Sequence, residues 1–262
     1  MSKTVSENPL VRKAYIITGP TSGIGRATAL ELAKLGTVVL VGRDRKKLDE
    51  VQKVIAKKGQ HAVPVVCDLS DIASVRNAAK EITELDLPIA GLINNSGIYE
   101  LYATKNALGW DMTFATNHLG PFALTEALIP LLPDGANVVF VCSGAEDPER
   151  KAAVAAGFRG GRYLSVEASA RGEWRPGGSE LPGRDAYATS KQCNLATVLA
   201  FARENPRYAS THLNRALSRI PASGVRLMCW CVSCCNTSFH GSRLTKNIGA
   251  TRNEPRVRPR KF

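Results

Sequence analysis

The sequence predicts an α/β protein: a doubly wound parallel sheet with helices on both faces. Three observations predict it. Short apolar runs alternate with helical patterns through most of the chain, as repeated βα units do. A glycine-rich turn, Thr18-Gly19-Pro20-Thr21-Ser22-Gly23-Ile24-Gly25, joins the first apolar run to the first helical pattern. Polar residues or glycines follow the later runs, where the carboxyl ends of parallel strands collect ligands.

The first run is Ala14-Tyr15-Ile16-Ile17, and the helical pattern after the turn covers residues 26–35. Glycine at 19 permits a tight turn, at 23 it lets backbone approach a phosphate, and at 25 it lets helix pack on strand. A pyrophosphate would lie against the unpaired amides and positive end of that helix. The spacing is G-x-x-x-G-x-G, and a βα turn that holds nothing is the alternative. Residues 38–41 then read as a strand, 45–57 as a helix, 63–66 as a strand and 72–85 as a helix. A fourth strand follows at 89–93, a long helix at 112–132 with a kink at Pro121, a fifth strand at 137–141 and a long helix at 186–203. Gly42-Arg43-Asp44, Asp68-Leu69, Asn94-Asn95-Ser96-Gly97 and Ser143 follow the second to fifth strands. Residues 144–185 break the rhythm with eight Gly and three Pro. Such a segment reads as a substrate-side flap or as a plain insertion.

Composition narrows the function classes. The chain has 262 residues with 44% apolar content, enough for one domain with a full core. No apolar stretch approaches the roughly 20 residues of a membrane span, and residues 1–12 are polar, so the expected location is cytoplasmic. The net charge of +12 is concentrated. Residues 203–262 hold twelve Lys and Arg against two Glu, which leaves the rest of the chain nearly neutral. That argues for a solvated basic tail and against a specific nucleic-acid partner. Of seven cysteines, Cys67, Cys142 and Cys193 lie singly and read as inert core thiols, while four crowd into 229–235. A disulfide framework is not expected.

The candidate chemistry lies in Tyr187-Ala188-Thr189-Ser190-Lys191. Tyr187 and Lys191 share one helical face at i and i+4. A tyrosine with pKa near 10 is a poor base, but an ammonium nearby favours its phenolate. So tuned, it can exchange a proton with an alcohol or carbonyl oxygen as hydride moves. Ser143 offers a hydroxyl to the same oxygen, or merely caps a turn. Asn117 sits inside the long helix although Asn is a weak helix former. His118 beside it reads as a packing or surface residue. In Gly42-Arg43-Asp44, Arg43 suits the 2′-phosphate of NADP, and Asp44 caps the next helix. NADP is therefore favoured over NAD.

These motifs, in this order over about residues 12–205, resemble the short-chain dehydrogenase/reductase family. The carriers are T-G-P-T-S-G-I-G, Asp68-Leu69, N-N-S-G, N-H-L-G-P-F, a strand-end Ser143 and Y-x-x-x-K. Residues 68–75, 117–125 and 143–148 look most like the retinol-dehydrogenase-like branch. The resemblance implies a Rossmann-like, three-layer αβα fold and the tetrad Asn117, Ser143, Tyr187 and Lys191. Tyr187 would be the acid/base, Lys191 would tune it and bind the nicotinamide ribose, Ser143 would orient substrate, and Asn117 would support a relay water. Cofactor contacts are implied at Gly19, Thr21, Ser22, Gly23, Ile24 and Gly25. Others are implied at Arg43, Asp68, Leu69, Asn95, Gly97, Tyr187 and Lys191. A homodimer or homotetramer through the two long helices is also implied.

The pattern departs from the family at Asn-Asn-Ser-Gly, where Ala is usual, at Cys142-Ser143, and after Arg226. There Leu227-Met228-Cys229-Trp230-Cys231-Val232-Ser233-Cys234-Cys235 replaces a strand ending in Pro-Gly. Four thiolates this close do not suit one tetrahedral metal site, so no metal is expected. The chain reads as one dinucleotide-binding and catalytic domain over 1–262, with an atypical strand and lid region at 227–247 and a disordered basic tail at 248–262. The expected activity is NADP-dependent hydride transfer to or from the carbonyl or alcohol of a small-to-medium apolar molecule. The alternative is an NADP-binding sensor or scaffold with little or no catalysis.

Overall fold

The computed structural model describes residues 13–205 and the backbone strand 226–231. The expectations for a tail at 248–262 and for most of 227–247 lie outside the described residues. Strands β1 (Ala14–Thr18), β2 (Thr37–Gly42), β3 (Ala62–Val66), β4 (Ile89–Asn94), β5 (Asn137–Cys142) and β6 (Arg226–Cys231) form one sheet. Its order is β3-β2-β1-β4-β5-β6, and every neighbouring pair is parallel. The order reverses between β1 and β4, so a crevice opens beyond their carboxyl ends. The atypical sixth strand takes its place beside β5 in register, with Val141 opposite Trp230.

The helices are α1 (Gly23–Leu32), α2 (Arg45–Ala56), α3 (Ile72–Glu84), α4 (Met112–Phe114), α5 (Gly120–Leu128), α6 (Lys151–Ala155), α7 (Val166–Ala170) and α8 (Pro182–Glu204). Strand alternation decides which helices lie on which face. Ile17, Val38 and Leu40 pack with Ala29 of α1 and with Leu48, Val51 and Ile55 of α2. Their neighbours Ile16, Val39 and Val41 point the other way. They share a second core with Val75 and Ile82 of α3, Leu124 and Leu128 of α5, and Val198 and Phe201 of α8. Asp44 caps α2 as the sequence suggests, accepting from the Lys47 amide at 3.2 Å, and the structure adds Asp71, which caps α3 by accepting from Ala73 at 2.9 Å.

Three expectations change. α1 begins at Gly23, inside the glycine turn, so the orphan first-turn amides belong to Gly23, Ile24 and Gly25 themselves. The long helix expected at 112–132 is irregular upstream of its proline. Residues Ala115–Leu119 form a π-helical turn between α4 and α5. Pro121 has no amide to give the carbonyl four residues earlier, which is that of Asn117. Third, Cys142 is in a disulfide rather than a free core thiol; the register sets residue 231, also a cysteine, opposite it. Cys67 and Cys193 are free and buried, and burial pushes both thiols up to about 12, as inert packing thiols behave.

The segment 144–185 is ordered against the rest. It contributes α6 and α7, the Asp111 amide bonds the Ala170 carbonyl at 2.7 Å, and the Arg162 amide bonds the Thr189 hydroxyl at 2.8 Å. Gly120 shows how closely α5 approaches the β3–α3 turn, since a Cβ there would run into the Leu69 carbonyl oxygen. Gly120→Ala should cost about 1–3 kcal/mol. Calorimetry should read this as a Tm lowered by roughly 2–10 °C; an unchanged Tm would show that the approach is not tight.

Candidate active site

The glycine turn is built to receive an anion. Gly19 and Gly23 have φ of +67° and +48°, values that favour glycine. A Cβ at Gly25 would run into the Gly19 carbonyl oxygen, so strand end and helix start are in direct contact, whereas a Cβ at Gly23 would meet nothing within 4 Å. The turn is therefore open at Gly23, the first residue of α1. Ser22 is the N-cap, yet its side chain makes no capping bond, and the first turn holds no acidic residue. The amides and positive helix end are thus left for a ligand, and the cradle fits a dinucleotide pyrophosphate.

The turn is latched to β4. The Thr18 hydroxyl oxygen accepts the amides of Asn95 and Ser96 at 3.0 and 2.9 Å. The Asn95 side chain donates to the carbonyls of Thr18 and Gly19 at 2.9 and 3.2 Å. Asn95 therefore holds the turn in shape while lining the crevice. Thr18 is fully buried.

A cleft of about 430 Å³ opens at the switch point, lined by Ile24, Asn95, Gly97, Ile98, Tyr99, Val141, Cys142, Ser143, Tyr187 and Lys191. Tyr187, Lys191 and Ser143 thus meet in one space with Ile24, Asn95 and Gly97. The Lys191 ammonium donates to the Val141 carbonyl at 2.8 Å and lies 5.5 Å from the centre of the Tyr187 ring. Lys191 is 4% exposed, and burial pushes its pKa down to about 8. The Tyr187 ring is flanked by two others. Tyr99 stands edge-on at 5.3 Å between centroids and Phe158 lies at 6.1 Å. Ser143 caps the short turn Gly144–Glu146 at 3.3 Å from the Ala145 amide. As an acceptor there, it keeps its own proton for another oxygen. It also lines an adjoining hollow of about 320 Å³ with Ala145, Ala153 and Phe158.

Asn117 is fully buried and does not face the cleft. Its side chain pairs with the main chain of Ile98, accepting at 2.8 Å and donating at 2.9 Å. Arg43 is exposed just past β2, beside Gly42, whose place has little room: a Cβ there would meet Leu48 at 3.3 Å. Asp68 is occupied with Ser70, whose amide and hydroxyl it accepts at 2.9 and 2.7 Å. The Leu69 side chain lies in the core. Thr21 is half-buried in the glycine turn and Ser22 exposed. Sequence reasoning did not single out Thr18, Ile98, Tyr99, Val141 or Phe158. Only Thr18 carried a usable signal, a hydroxyl at the inner end of the first strand.

A parallel sheet with an anion-ready glycine turn at its switch point, and a Tyr-Lys pair in the crevice, defines the doubly wound dinucleotide-binding class. Residues 13–155 match the family model for short chain dehydrogenase, and the chain belongs to the short-chain dehydrogenase/reductase family. It is 33% identical over 225 residues to polyprenol dehydrogenase of Mus musculus, a match covering 83% of this chain and 61% of that protein. It is 37% identical over 138 residues to Mus musculus retinol dehydrogenase 14, covering 47% of this chain and 41% of that protein. These matches therefore span less than two thirds of either curated relative. Among solved structures, a 3-ketoacyl-ACP reductase from Sinorhizobium meliloti 1021 superposes with a TM-score of 0.59 at 27% identity, covering 83% of this chain and 71% of that one. Among the described residues, no helix is long and apolar enough to cross a membrane.

The depressed Lys191 fixes the sign of a pH effect. Its pKa is about 8 when folded against 10.5 for the free group, so between those values the unfolded chain holds the extra proton and stability rises with pH. In urea unfolding without dinucleotide, wild type should gain roughly 2 kcal/mol over Lys191→Met between about pH 7.5 and 9.5. A constant difference across that window would mean that Lys191 titrates normally.

Proposed function

We propose that this protein is an NADP-dependent oxidoreductase acting on the carbonyl or alcohol of a small-to-medium apolar molecule, with Tyr187 as acid/base. The observation that carries this reading is the convergence of Tyr187, Lys191 and Ser143 on one cleft beside the glycine turn. When bound, the nicotinamide supplies or accepts the hydride. In reduction, the Tyr187 hydroxyl gives its proton to the carbonyl oxygen. The Ser143 hydroxyl donates to the same oxygen and stabilises the charge that grows there. The Lys191 ammonium, steadied by the Val141 carbonyl, favours the phenolate that remains. In oxidation the same groups work in reverse.

The turn Gly19–Gly25, with Thr21, Ser22, Gly23 and Ile24, would hold the pyrophosphate. Asp68 and Leu69 would lie by the adenine, Asn95 and Gly97 along the inner edge, and Lys191 at the ribose. Preference for NADP rests on Arg43 standing exposed after β2, while Asp44 is engaged as the cap of α2. An apolar substrate is supported by the walls, Ile24, Ile98, Tyr99 and Val141 on one side and Phe158 with Ala153 on the other. Two relatives are named for polyprenol and retinol; the class carried over from them is an apolar alcohol. Assembly through the long helices, as a dimer or tetramer, belongs to the same proposal.

Two experiments test it. Consumption of NADPH across a panel of ketones and aldehydes should show turnover, and Tyr187→Phe should lower kcat at least about 100-fold while still binding NADPH. Full turnover by Tyr187→Phe would remove the acid/base, and tight NADPH binding with no turnover on any carbonyl would favour the sensor alternative. In titration calorimetry, Arg43→Ala should weaken NADP by about 10- to 100-fold and leave NAD nearly unchanged. Equal weakening of both would place the 2′-phosphate elsewhere.

A further inference from the structure

Tyr187, Ser190, Lys191 and Asn194 fall at i, i+3, i+4 and i+7 of α8, one stripe of the helix. The first and third belong to the reading above; the other two have had no role. Both are buried, and both bond Asn117. The Asn117 side chain donates to the Ser190 hydroxyl at 3.3 Å, which itself donates to the Tyr187 carbonyl at 2.7 Å. The Asn194 side-chain amide donates to the Asn117 main-chain carbonyl at 3.0 Å. That carbonyl is the one that Pro121 leaves without its regular helical partner.

The bond fixes more than itself. A carbonyl oxygen only accepts, so the amide nitrogen of Asn194 must face Asn117, and its oxygen must face away. That oxygen lies 3.0 Å from Nδ1 of His118. Nδ1 must then carry a proton, and His118 orients Asn194. Burial lowers the His118 pKa, which keeps the ring neutral at physiological pH. Phe114 encloses it at 5.1 Å between ring centres.

We infer that Ser190 and Asn194, with His118 behind Asn194, are positioning residues that clamp Asn117 from both sides and so set the floor of the cleft. The floor is Gly97-Ile98. Asn117 grips the main chain of Ile98 by both of its polar groups. A Cβ at Gly97 would come within 3.4 Å of the Lys191 ammonium and 3.6 Å of the Asn117 side-chain oxygen. The stripe that bears the phenol and the ammonium therefore also locks the surface opposite them. A slack clamp lets that surface drift from Tyr187 and Lys191, which harms turnover more than binding. The inference rests on the oxidoreductase reading.

The test compares wild type, His118→Leu, His118→Asn, Asn194→Leu and the double variant His118→Leu/Asn194→Leu, each as the full chain. Steady-state rates are measured with NADPH and the best carbonyl of the panel. Asn194→Leu should lower kcat about 10- to 100-fold with KM within about twofold. His118→Leu should lower kcat several-fold, and His118→Asn, whose amide can donate from the place of Nδ1, should restore it. The double variant should be no worse than Asn194→Leu alone, because His118 acts through Asn194. Independent multiplicative losses, or an effect carried by KM, would overturn the clamp. Should Asn194→Leu not fold, Asn194→Asp keeps the acceptor for His118 and loses the donor to Asn117, and must show the same fall in kcat. A second readout needs no turnover. In nitrogen-15 spectra His118 should be the Nδ1–H tautomer in wild type and lose that preference in Asn194→Leu. A wild-type Nε2–H tautomer overturns the clamp alone, whereas an Nδ1–H tautomer in a chain inactive on every carbonyl overturns the oxidoreductase reading and the positioning role with it.

Discussion

The Thr18 hydroxyl oxygen sits where β1 ends and accepts two successive amides from the end of β4. Asn95 answers by reaching back to the carbonyls of the turn. The pair fixes how far apart the glycine turn and the residues 95–98 can lie. Gly97 and Ile98 follow that joint directly, and the Lys191 ammonium lies close by Gly97.

From there the structure accumulates constraints. Ile98 is held by Asn117, and Asn117 by α8. Val141 at the end of β5 holds the Lys191 ammonium. Thus β4, β5, α8 and the irregular turn before α5 converge on a volume of a few hundred cubic ångströms. The low pKa of Lys191 is a measure of that convergence, because an ammonium so enclosed has lost water and gained one carbonyl. A cationic or phosphate-bearing ligand entering beside it would change its charge balance immediately.

The sheet was legible because each inner strand is a run that only burial on two faces explains; Val38-Val39-Leu40-Val41 divides its side chains between two cores. The Asp44 cap was legible because a short acidic side chain before an amphipathic run has few other uses. The spacing of Tyr187 and Lys191 marked them as one helical face, and the glycine turn earlier in the chain gave that pair its meaning. Asn194 was not legible, since nothing local distinguishes a clamp from a solvated asparagine. Its meaning depends on a carbonyl 77 residues earlier. The same holds for Phe158, which reaches Tyr187 only through the fold of 144–185. Pro121 misled because a proline disturbs the turn before it: the irregular residues are Ala115–Leu119, not those around the ring itself. Cys142 misled because nothing adjacent to it in sequence marks it as a paired cysteine.

The distance along the chain between Thr18 and Asn95, 77 residues, has a consequence for biosynthesis. β1 is an inner strand, and one of its two partners is not made until three βα units have passed. Until β4 leaves the ribosome, the nascent glycine turn lacks the amides that hold it, and one flank of β1 offers unpaired backbone to any neighbour. The ligand cradle is thus translated well before the amides that complete it, 77 residues further on, and that interval is one in which a chaperone, or the dinucleotide itself, has much to contribute.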